Sequence, residues 1–357
     1  MRFLLAGGGT GGHVNPLLAL AQLLRAEGHE VFALGTKEGL EQRLVPERGF
    51  ELFTIKKLPL PRRLSFRALV FPLDLISQTF KVIQLIRSLK VDAVVGFGGY
   101  ASPPAYLAAF FLRKPLIVHE ANAIAGYANK LGQRLGGEVA IAFPNTNLKG
   151  ELTGMPIRSE IVESIAEYDK GQARVELGLD PLLPTLLVTG GSLGARSINQ
   201  AVLASLDALR AAGIQVLHIV GEQAALGDLS EPGYRRMIYC SRMDAAIAAS
   251  DLAISRAGSS TLAEFAAAGL PAIYVPYPVG NGEQRHNAKT IVDAGGGQLV
   301  LDSDFNSEFI ANRVIPIVSH ANTLKQMSQA AKSVAIPDAT ARLRDLVLGS
   351  VNTKKND

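Results

Sequence analysis

The chain has 357 residues, of which 48% are hydrophobic and 19% are charged, and this composition supports a substantial buried core. Its length is typical of two domains of roughly 100–200 residues each, and intrinsic disorder is excluded. No apolar run approaches the ~20 residues of a membrane span, and the N-terminal segment is too short for a secretory signal peptide. Because Cys240 is the single cysteine, we expect a soluble protein of a reducing, intracellular compartment.

The formal net charge of +4 is unevenly distributed along the sequence. Residues 1–157 carry 18 Lys and Arg against 11 Asp and Glu, a balance of +7, whereas residues 158–357 carry a balance of −3. Eight basic residues and one acidic residue, Asp74, lie in the stretch from Lys56 to Lys90. Such a block indicates either a surface for a polyanion or an anionic membrane, or an ordinary solvated face.

Short apolar segments alternate with longer amphipathic segments along the whole chain, a pattern that predicts strands alternating with helices. The predicted strands span residues 2–6, 30–34, 51–55, 93–97, 115–119 and 138–142 in the first half, and 185–189, 215–220, 251–255, 271–275 and 298–301 in the second. Helical patterns lie between them, for example at residues 15–27, 73–89, 197–212 and 261–268. We therefore predict an α/β protein in which helices cover both faces of parallel sheets.

A weak internal repeat indicates two domains of the same kind. Residues 3–12 and residues 186–195 each consist of an apolar strand followed by a glycine turn that opens a helix. The boundary is predicted in the polar stretch between Met155 and Pro184, and a final helix is predicted with Asp338 as its N-cap. These features divide the chain into residues 1–157, residues 158–340, and a C-terminal helix and tail at 341–357. Since parallel sheets bind ligands beyond the carboxyl ends of their strands, the two glycine turns are expected to face a shared cleft.

The first glycine turn, at residues 7–12, fits the spacing of a dinucleotide-binding fingerprint, but this match alone is weak. A nicotinamide site needs a carboxylate near the end of the second strand, and residues 33–37 contain none, which disfavours a dehydrogenase. Glycine turns at residues 96–100 and 190–195 also follow predicted strands. Each is either a phosphate-binding loop or a tight turn that packs a helix against a strand. None ends in the Gly-Lys-Ser/Thr of a P-loop, which argues against an ATPase or GTPase.

Residues 255–264 again lead from a strand into a helix. Thr261 and Glu264 have the spacing of a capping box, which alone would explain both residues. Alternatively, Glu264 accepts hydrogen bonds from two ribose hydroxyls while the N–H groups of the turn face a diphosphate. The spacing leaves both alternatives open.

Six motifs occur in an order that resembles one known family. They are Gly8-Gly9-Thr10-Gly11-Gly12-His13, Gly98-Gly99-Tyr100, His119-Glu120-x-Asn122, Gly190-Gly191-Ser192-x-Gly194-Ala195, Arg256-x-Gly258 through Glu264, and Gln284-x-x-Asn287. Together they resemble the bacterial peptidoglycan glycosyltransferases that transfer N-acetylglucosamine (GlcNAc) from UDP-GlcNAc to lipid I and so make lipid II. The resemblance implies an inverting reaction and a GT-B fold, in which two Rossmann-like domains with parallel sheets face each other across a cleft. It also implies a peripheral position on the cytoplasmic face of the bacterial plasma membrane.

By this resemblance the first domain binds the acceptor and docks on the membrane, and the second domain binds UDP-GlcNAc. Ser192 and Arg158 would contact the diphosphate, and Glu264 would contact the ribose. Gln284 would bind hydroxyls of the sugar, and backbone groups at Cys240 would meet the edge of the uracil.

The resemblance assigns two further groups of contacts. The phosphates and sugar of the donor would lie against Ser259, Ser260, Thr261, Leu262 and Ala263. The sugar would be reached from the first domain by Thr10, Gly11, Gly12 and Asn122. The sequence departs from the family pattern at Ala121, Met155 and Leu193, which leaves the reaction class unchanged.

The transfer needs a base near the 4-hydroxyl of the acceptor, and His13, at the start of a helix, is our candidate. The alternatives are that His13 binds the diphosphate of the acceptor, or that His119 is the base, whereas His218 is predicted to be a core residue. Backbone N–H groups, a helix dipole and Arg158 can meet the charge of the departing UDP, so no metal and no cofactor is expected. Asp302-Ser303-Asp304 resembles the Asp-x-Asp of metal-dependent transferases, but we interpret it as a helix N-cap.

The basic segment 58–72 mixes apolar side chains with Arg62, Arg63 and Arg67, a combination that suits an anionic membrane surface. The alternative is an ordinary loop before the helix at 73–89, whose core-facing side chains would then be Leu73, Ile76, Phe80 and Ile83. The expected partners are therefore UDP-GlcNAc, lipid I and an anionic membrane surface, with no nucleic acid. Two other functions remain open, a UDP-sugar 2-epimerase of the same fold and a non-catalytic module that binds nucleotide sugars or polyprenyl diphosphates.

Overall fold

The computed structural model describes residues 1–59, 66–157, 161–163, 167–191 and 193–356, with the backbone alone at 66–68 and 354–356. The chain divides into two compact units. The first unit comprises Met1–Arg158 and Asp338–Asp357, and the second comprises Ser159–Pro337.

Seven parallel strands form the sheet of the first unit, in the order β3-β2-β1-β4-β5-β6-β7. The strands are β1 Arg2–Ala6, β2 Glu30–Thr36, β3 Glu51–Ile55, β4 Ala93–Gly96, β5 Leu116–Glu120, β6 Glu138–Ile141 and β7 Glu151–Leu152. The helices that accompany them are α1 Gly11–Ala26, α2 Glu41–Glu47, α3 Phe66–Ser88, α4 Ser102–Phe111 and α5 Tyr127–Arg134. Because the central strands β1, β4 and β5 are apolar at nearly every position, helices pack on both faces and bury a core on each side.

The sheet of the second unit also has seven strands, in the order β10-β11-β9-β8-β12-β13-β14, and all pairs are parallel except β10 with β11. The strands are β8 Thr185–Thr189, β9 Gln215–Ile219, β10 Leu229–Glu231, β11 Tyr234–Met237, β12 Leu252–Ser255, β13 Ala272–Tyr274 and β14 Gly297–Leu299. Helices of the first part of this unit are α6 Lys170–Glu176, α7 Arg196–Leu203, α8 Leu206–Ala211, α9 Met243–Ala248 and α10 Ser259–Ala268. The later ones are α11 Glu283–Asn287, α12 Lys289–Asp293, α13 Ser307–Phe309, α14 Ile315–Val318 after the π-helical turn Ile310–Val314, and α15 Ala321–Ser333.

The parallel sheets predicted from the alternation of strands and helices are confirmed in both units. Three short strands, β7, β10 and β11, were not predicted from the sequence. These strands have between two and four residues, and Arg235 and Arg236 interrupt the apolar character of β11. A pattern so short carries too few positions to indicate a strand.

The final helix, α16 Ala339–Asn356, belongs to the first unit although it follows the second in the sequence. Leu343, Val347 and Val351 are buried in the same core cluster as Leu20 and Leu24 of α1. Their spacing of four residues places them on one face of α16, which therefore covers apolar surface of α1.

His218 lies at the centre of β9 and is fully buried. Its Nε2 donates to Oδ1 of Asn199 at 3.0 Å, and its Nδ1 accepts from the hydroxyl of Tyr234 at 3.0 Å. Burial lowers the pKa of His218 to about 4, so the ring is neutral at neutral pH. The predicted core position of this histidine is confirmed.

Helix α3 exposes most of the apolar side chains that were expected to face the core if residues 58–72 were an ordinary loop. Leu73, Ile76 and Phe80 are 67%, 53% and 61% exposed, and Leu69 is 75% exposed, so that expectation is wrong for three of the four side chains it named. The opposite side of the helix is buried through Val82 and Ile86, which join the core beside α4. We refer to Leu69, Leu73, Ile76 and Phe80 as the apolar stripe.

The expectation that no segment could span a membrane also needs correction. The part of α3 from Leu69 to Ser88 is long and apolar enough to cross a bilayer by length and composition. Its Val82 and Ile86 side chains nevertheless pack in the core of the first unit. A helix that buries one side in its own domain and exposes an apolar stripe on another suits the surface of a membrane rather than its interior.

Candidate active site

The functional residues predicted in the first unit follow the carboxyl ends of β1, β4 and β5. Thr10 is the N-cap of α1, with an extended backbone and no side-chain hydrogen bond to the helix. Within the described chain, the N–H groups of Gly11 and Gly12 have no acceptor. The first turn of α1 therefore presents free donors and the positive end of a helix dipole, both of which favour an anion or a sugar oxygen.

His13 lies in this first turn, and the surroundings of its ring define which nitrogen carries the proton. Nδ1 is 3.1 Å from the carbonyl oxygen of Gly8 and 3.3 Å from Oγ1 of Thr10. A carbonyl can only accept, so in the neutral ring Nδ1–H donates to Gly8 and Nε2 keeps its lone pair. Nε2 lies close to the backbone of Gly98. A Cβ atom built on that glycine would be 3.0 Å from Nε2. This tautomer is the one in which Nε2 can accept a proton.

His119, the alternative base, is fully buried within β5. Its Nε2 donates to the carbonyl of Gly154 at 3.2 Å, and its Nδ1 has no partner in the described chain. Burial and, to a smaller extent, the nearby His13 lower the pKa of His119 to about 4, although the hydrogen bond to Gly154 opposes this shift. A ring that no substrate can touch is a poor proton acceptor for transfer, so the geometry favours His13.

The loop that carries Asn122 is held by the buried carboxylate of Glu120, a residue for which the sequence motif predicted no role. Glu120 accepts from the backbone N–H of Asn122 at 2.9 Å and of Gly126 at 3.0 Å, and from the Asn129 side chain at 2.9 Å. Asn129 in turn accepts from the hydroxyl of Tyr106 at 2.8 Å. These contacts fix the backbone of the loop, and Glu120 thereby holds the backbone of Asn122 in place.

In the second unit the predicted residues also follow the carboxyl ends of parallel strands. Segments containing Cys240 and Gly190 follow β11 and β8, and segments containing Ser259 and Gln284 follow β12 and β13. The carboxyl ends of parallel strands lie at one edge of a sheet, so these four segments share that edge. Ser192 and Arg158, both assigned to the diphosphate, lie outside the described residues.

The structure decides against the capping box at Thr261 and Glu264. Helix α10 begins at Ser259 after the N-cap Gly258, so Thr261 already lies inside the helix. Glu264 lies in the following turn and is half-buried. Because Gly258 is the N-cap and no side chain caps this helix, the capping-box alternative for Thr261 and Glu264 is wrong.

The N-terminus of α10 has several unpaired donors in the described chain. The first intrahelical hydrogen bond runs from Leu262 N–H to Gly258, which leaves the N–H groups of Ser259, Ser260 and Thr261 without an acceptor. The hydroxyl of Ser260 is also buried without a partner. Such a ten-residue helix with an open first turn is suited to a diphosphate.

Two other predicted contacts have defined local geometry. Oε1 of Gln284 accepts from the backbone N–H of Tyr277 at 2.9 Å, so a ligand contact of this side chain would be made by its amide NH₂. The thiol of Cys240 is buried, and burial raises its pKa, which keeps it protonated. A protonated, buried thiol leaves the backbone as the part of Cys240 that can meet a ligand.

Asp302 takes part in an ion pair, contrary to its interpretation as a helix N-cap. Its carboxylate pairs with the guanidinium of Arg256 and accepts from the hydroxyl of Ser197 at 2.7 Å, whereas Asn306 caps the next helix. Arg256 also donates to the carbonyls of Val275 at 3.1 Å and Pro276 at 3.2 Å. The pair therefore joins the loops after β12, β13 and β14, and in the described chain no group of three or more His, Cys, Asp or Glu could hold a metal ion.

Both domains of the chain match models of a known protein family. Residues 3–141 match the N-terminal domain of glycosyltransferase family 28, and residues 185–343 match its C-terminal domain. The chain belongs to glycosyltransferase family 28. The α/β fold of two parallel-sheet domains and the resemblance to peptidoglycan glycosyltransferases are thereby confirmed, and a dehydrogenase is excluded.

Relatives in this family are similar over nearly the whole chain. A protein of Clavibacter sepedonicus is 49% identical, with 99% of this chain and 97% of the relative covered, and one of Clavibacter michiganensis is 50% identical, with 98% and 96% covered. Both are named UDP-N-acetylglucosamine–N-acetylmuramyl-(pentapeptide) pyrophosphoryl-undecaprenol N-acetylglucosamine transferase. Among solved structures, Acinetobacter baumannii MurG is 29% identical with a TM-score of 0.78, covering 98% of this chain and 99% of MurG. A kitacinnamycin glycosyltransferase at 15% identity, covering 98% of each chain with a TM-score of 0.71, shares the fold alone.

Proposed function

We propose that this family 28 glycosyltransferase transfers GlcNAc from UDP-GlcNAc to the 4-hydroxyl of MurNAc in undecaprenyl-diphospho-MurNAc-pentapeptide. The product is lipid II with a new β-1,4 linkage, formed with inversion at the anomeric carbon. The observation that carries this proposal is the identity of about one half, over nearly the full length, to relatives named for that activity.

UDP-GlcNAc binds to the second unit through the open end of α10. The N–H groups of Ser259, Ser260 and Thr261 contact phosphate oxygens, and Glu264 accepts from the two ribose hydroxyls. Arg158 and Ser192 are assigned to the diphosphate as well, and the backbone of Cys240 to the uracil. The remaining contacts to the donor phosphates and sugar come from Leu262, Ala263 and the amide of Gln284.

The first unit supplies the base and the acceptor contacts. Nε2 of His13 takes the proton of the 4-hydroxyl as that oxygen bonds to the anomeric carbon. The bond from the anomeric carbon to the β-phosphate oxygen breaks, and its electron pair leaves with UDP, whose charge is met by the helix dipole and Arg158. The sugar is contacted from this unit by Thr10, Gly11, Gly12 and Asn122.

Turnover distinguishes this function from its two alternatives. With UDP-GlcNAc and a short-chain lipid I analogue, we expect UDP release that depends on the acceptor. Free UDP-ManNAc formed without an acceptor would indicate a 2-epimerase. UDP-GlcNAc binding with neither product would indicate a non-catalytic module and contradict the proposal.

The apolar stripe supports docking on an anionic membrane surface, which a polyprenyl-linked acceptor requires. Leu69, Leu73, Ile76 and Phe80 follow one another at intervals of four, three and four residues, which places them on one side of α3. Phe110 and Phe111 at the end of the adjacent α4 are also exposed, at 50% and 65%. The arginines of the basic segment, Arg62, Arg63 and Arg67, have side chains outside the described residues, and their part in docking remains a sequence-based prediction. The apolar stripe supports a peripheral position on a membrane, and the resemblance to the peptidoglycan glycosyltransferases implies that this is the cytoplasmic face of the plasma membrane.

Replacing Leu73 and Phe80 together by Glu should release the protein from vesicles that contain anionic lipid. Each apolar side chain inserted into the membrane contributes on the order of 1 kcal/mol or more to binding. We therefore expect the affinity for vesicles, measured by co-sedimentation, to fall at least roughly tenfold. Leu182→Glu is the matched control, since Leu182 is 87% exposed in the second unit. Equal binding of the double variant and the control would contradict docking through the apolar stripe.

A further inference from the structure

A buried carboxylate lies directly behind the glycine loop of the first unit. Glu41, the first residue of α2, is fully buried, and its Oε2 accepts from the backbone N–H of Gly9 at 2.8 Å. Its Oε1 accepts from the backbone N–H and the hydroxyl of Thr36, both at 2.9 Å. No cation pairs with Glu41 in the described chain, so these donors are what stabilises its charge.

Three glycines create the space that this carboxylate occupies. A Cβ added to Gly8 or Gly39 would overlap the Glu41 side chain, and one added to Gly35 would lie 2.5 Å from its Cγ. The glycines of the loop and of the following strand are therefore explained by the close approach of a side chain from the protein itself. The loop consequently uses one of its N–H groups, that of Gly9, inside the protein and not on a ligand.

A single peptide unit connects Glu41 to His13. The N–H of Gly9 and the C=O of Gly8 belong to the same peptide group and, in the trans form, point in opposite directions. The N–H donates to Glu41, and the C=O accepts from Nδ1–H of His13 at 3.1 Å. A charge at one end of an amide polarises the hydrogen bond at its other end. The carboxylate thus strengthens the carbonyl as an acceptor for the imidazole.

We propose that Glu41 is a positioning residue for the transfer reaction, which acts through the Gly8–Gly9 peptide to hold His13 in the Nδ1–H tautomer. Its effect is to keep Nε2 unprotonated and directed at the proton of the acceptor, and to stabilise the imidazolium once that proton has moved. The arrangement is a carboxylate–histidine pair with one peptide group inserted between its members. This inference rests on the proposed role of His13 as the base.

Other ionisable groups surround the loop and share in its electrostatics. His119 and Glu120 belong to β5, and Tyr106 belongs to α4. Burial raises the pKa of the Tyr106 hydroxyl. His119 is neutral, Tyr106 is protonated, and Glu120 is occupied by the N–H donors of its own loop. Glu41 is therefore the carboxylate with a direct hydrogen-bonded path to Nδ1 of His13.

The test is Glu41→Gln, compared with Glu38→Gln, which changes an exposed carboxylate three residues before Glu41 that pairs with Lys57. We expect kcat/KM for UDP release to fall roughly tenfold or more in Glu41→Gln and to stay unchanged in the control.

We also expect the acidic limb of the pH–rate profile to move to lower pH, because the imidazolium loses a nearby negative charge. In a double-mutant cycle, Glu41→Gln should cost nothing further once His13 is Ala. An equal loss in both backgrounds would overturn the inference.

Nuclear magnetic resonance of the ¹⁵N-labelled histidines provides a readout that does not depend on activity. The intact protein should show His13, assigned by its absence in His13→Ala, as the Nδ1–H tautomer, and Glu41→Gln should show a mixture of tautomers. A dominant Nε2–H tautomer in the intact protein would overturn the inference even if Glu41→Gln failed to fold. If His13→Ala kept full activity, the proposed base would be wrong, whereas the tautomer result would still decide the role of Glu41.

Discussion

His13→Ala is expected to lower kcat for acceptor-dependent UDP release by roughly 10²–10⁴-fold, the range that a positioned general base contributes. Nε2 of His13 is the unprotonated nitrogen, because Nδ1 donates to Gly8. Removing the ring therefore removes the proton acceptor and leaves the nucleotide contacts of the second unit in place. Steady-state assays at saturating UDP-GlcNAc, with KM for the donor measured in parallel, test this expectation.

Two controls separate loss of the base from loss of structure. His320→Ala removes an exposed histidine that contacts only the carbonyl of Pro316 among the described residues, and its activity should equal that of the intact protein. His13→Gln keeps a hydrogen-bonding side chain without a comparable base and should remain as impaired as His13→Ala. If His13→Gln restored activity, the role of His13 would be to bind the acceptor's diphosphate instead.

Glu264→Ala is expected to weaken UDP binding by roughly 10²-fold. Two hydrogen bonds to a charged acceptor contribute on the order of 3 kcal/mol together, which corresponds to that change in Kd. Glu264 does not cap α10, whose N-cap is Gly258, so the expected loss does not come from loss of a helix cap. Titration calorimetry with UDP, and with 2′,3′-dideoxy-UDP as the analogue without ribose hydroxyls, measures the effect.

The analogue decides what the carboxylate contacts. If Glu264 binds the ribose, its removal should change the affinity for UDP and leave the affinity for the dideoxy analogue nearly unchanged. Glu283→Ala, at the start of α11 in the same unit, is the matched control and should bind both nucleotides normally. Equal weakening of both nucleotides by Glu264→Ala would contradict contact with the ribose and indicate that the residue stabilises α10.

The architecture was predictable because parallel sheets depend on features that repeat along the sequence. The strands β1, β4, β8 and β12 are short apolar runs, and each is followed by a glycine turn that opens a helix. The same regularity placed the candidate residues at the carboxyl ends of the strands. In contrast, α3 has apolar residues on two sides, through Leu73 and Phe80 on one and Val82 and Ile86 on the other, so periodicity could not tell which side is buried.

The details of the candidate site depend on contacts between residues distant in the sequence. A carboxylate that binds a ribose would lie within residues 33–37, at the end of the second strand, whereas Glu41 lies beyond them and turns back beneath Gly8 and Gly9. The pairing of Asp302 with Arg256 joins residues 46 positions apart. Neither contact leaves a local pattern, although the glycines at 35 and 39 could have indicated that something large fills the space beside them.

The placement of α16 has a consequence for how the protein is made. The sheet of the first unit is complete once β7 has been synthesised, yet Leu343, Val347 and Val351 are needed to cover Leu20 and Leu24. These residues follow the whole second unit in the sequence, so Leu20 and Leu24 must wait through translation of that unit with their apolar surface uncovered. A fragment that ends at residue 157 would retain the exposed surface permanently and would be prone to aggregate.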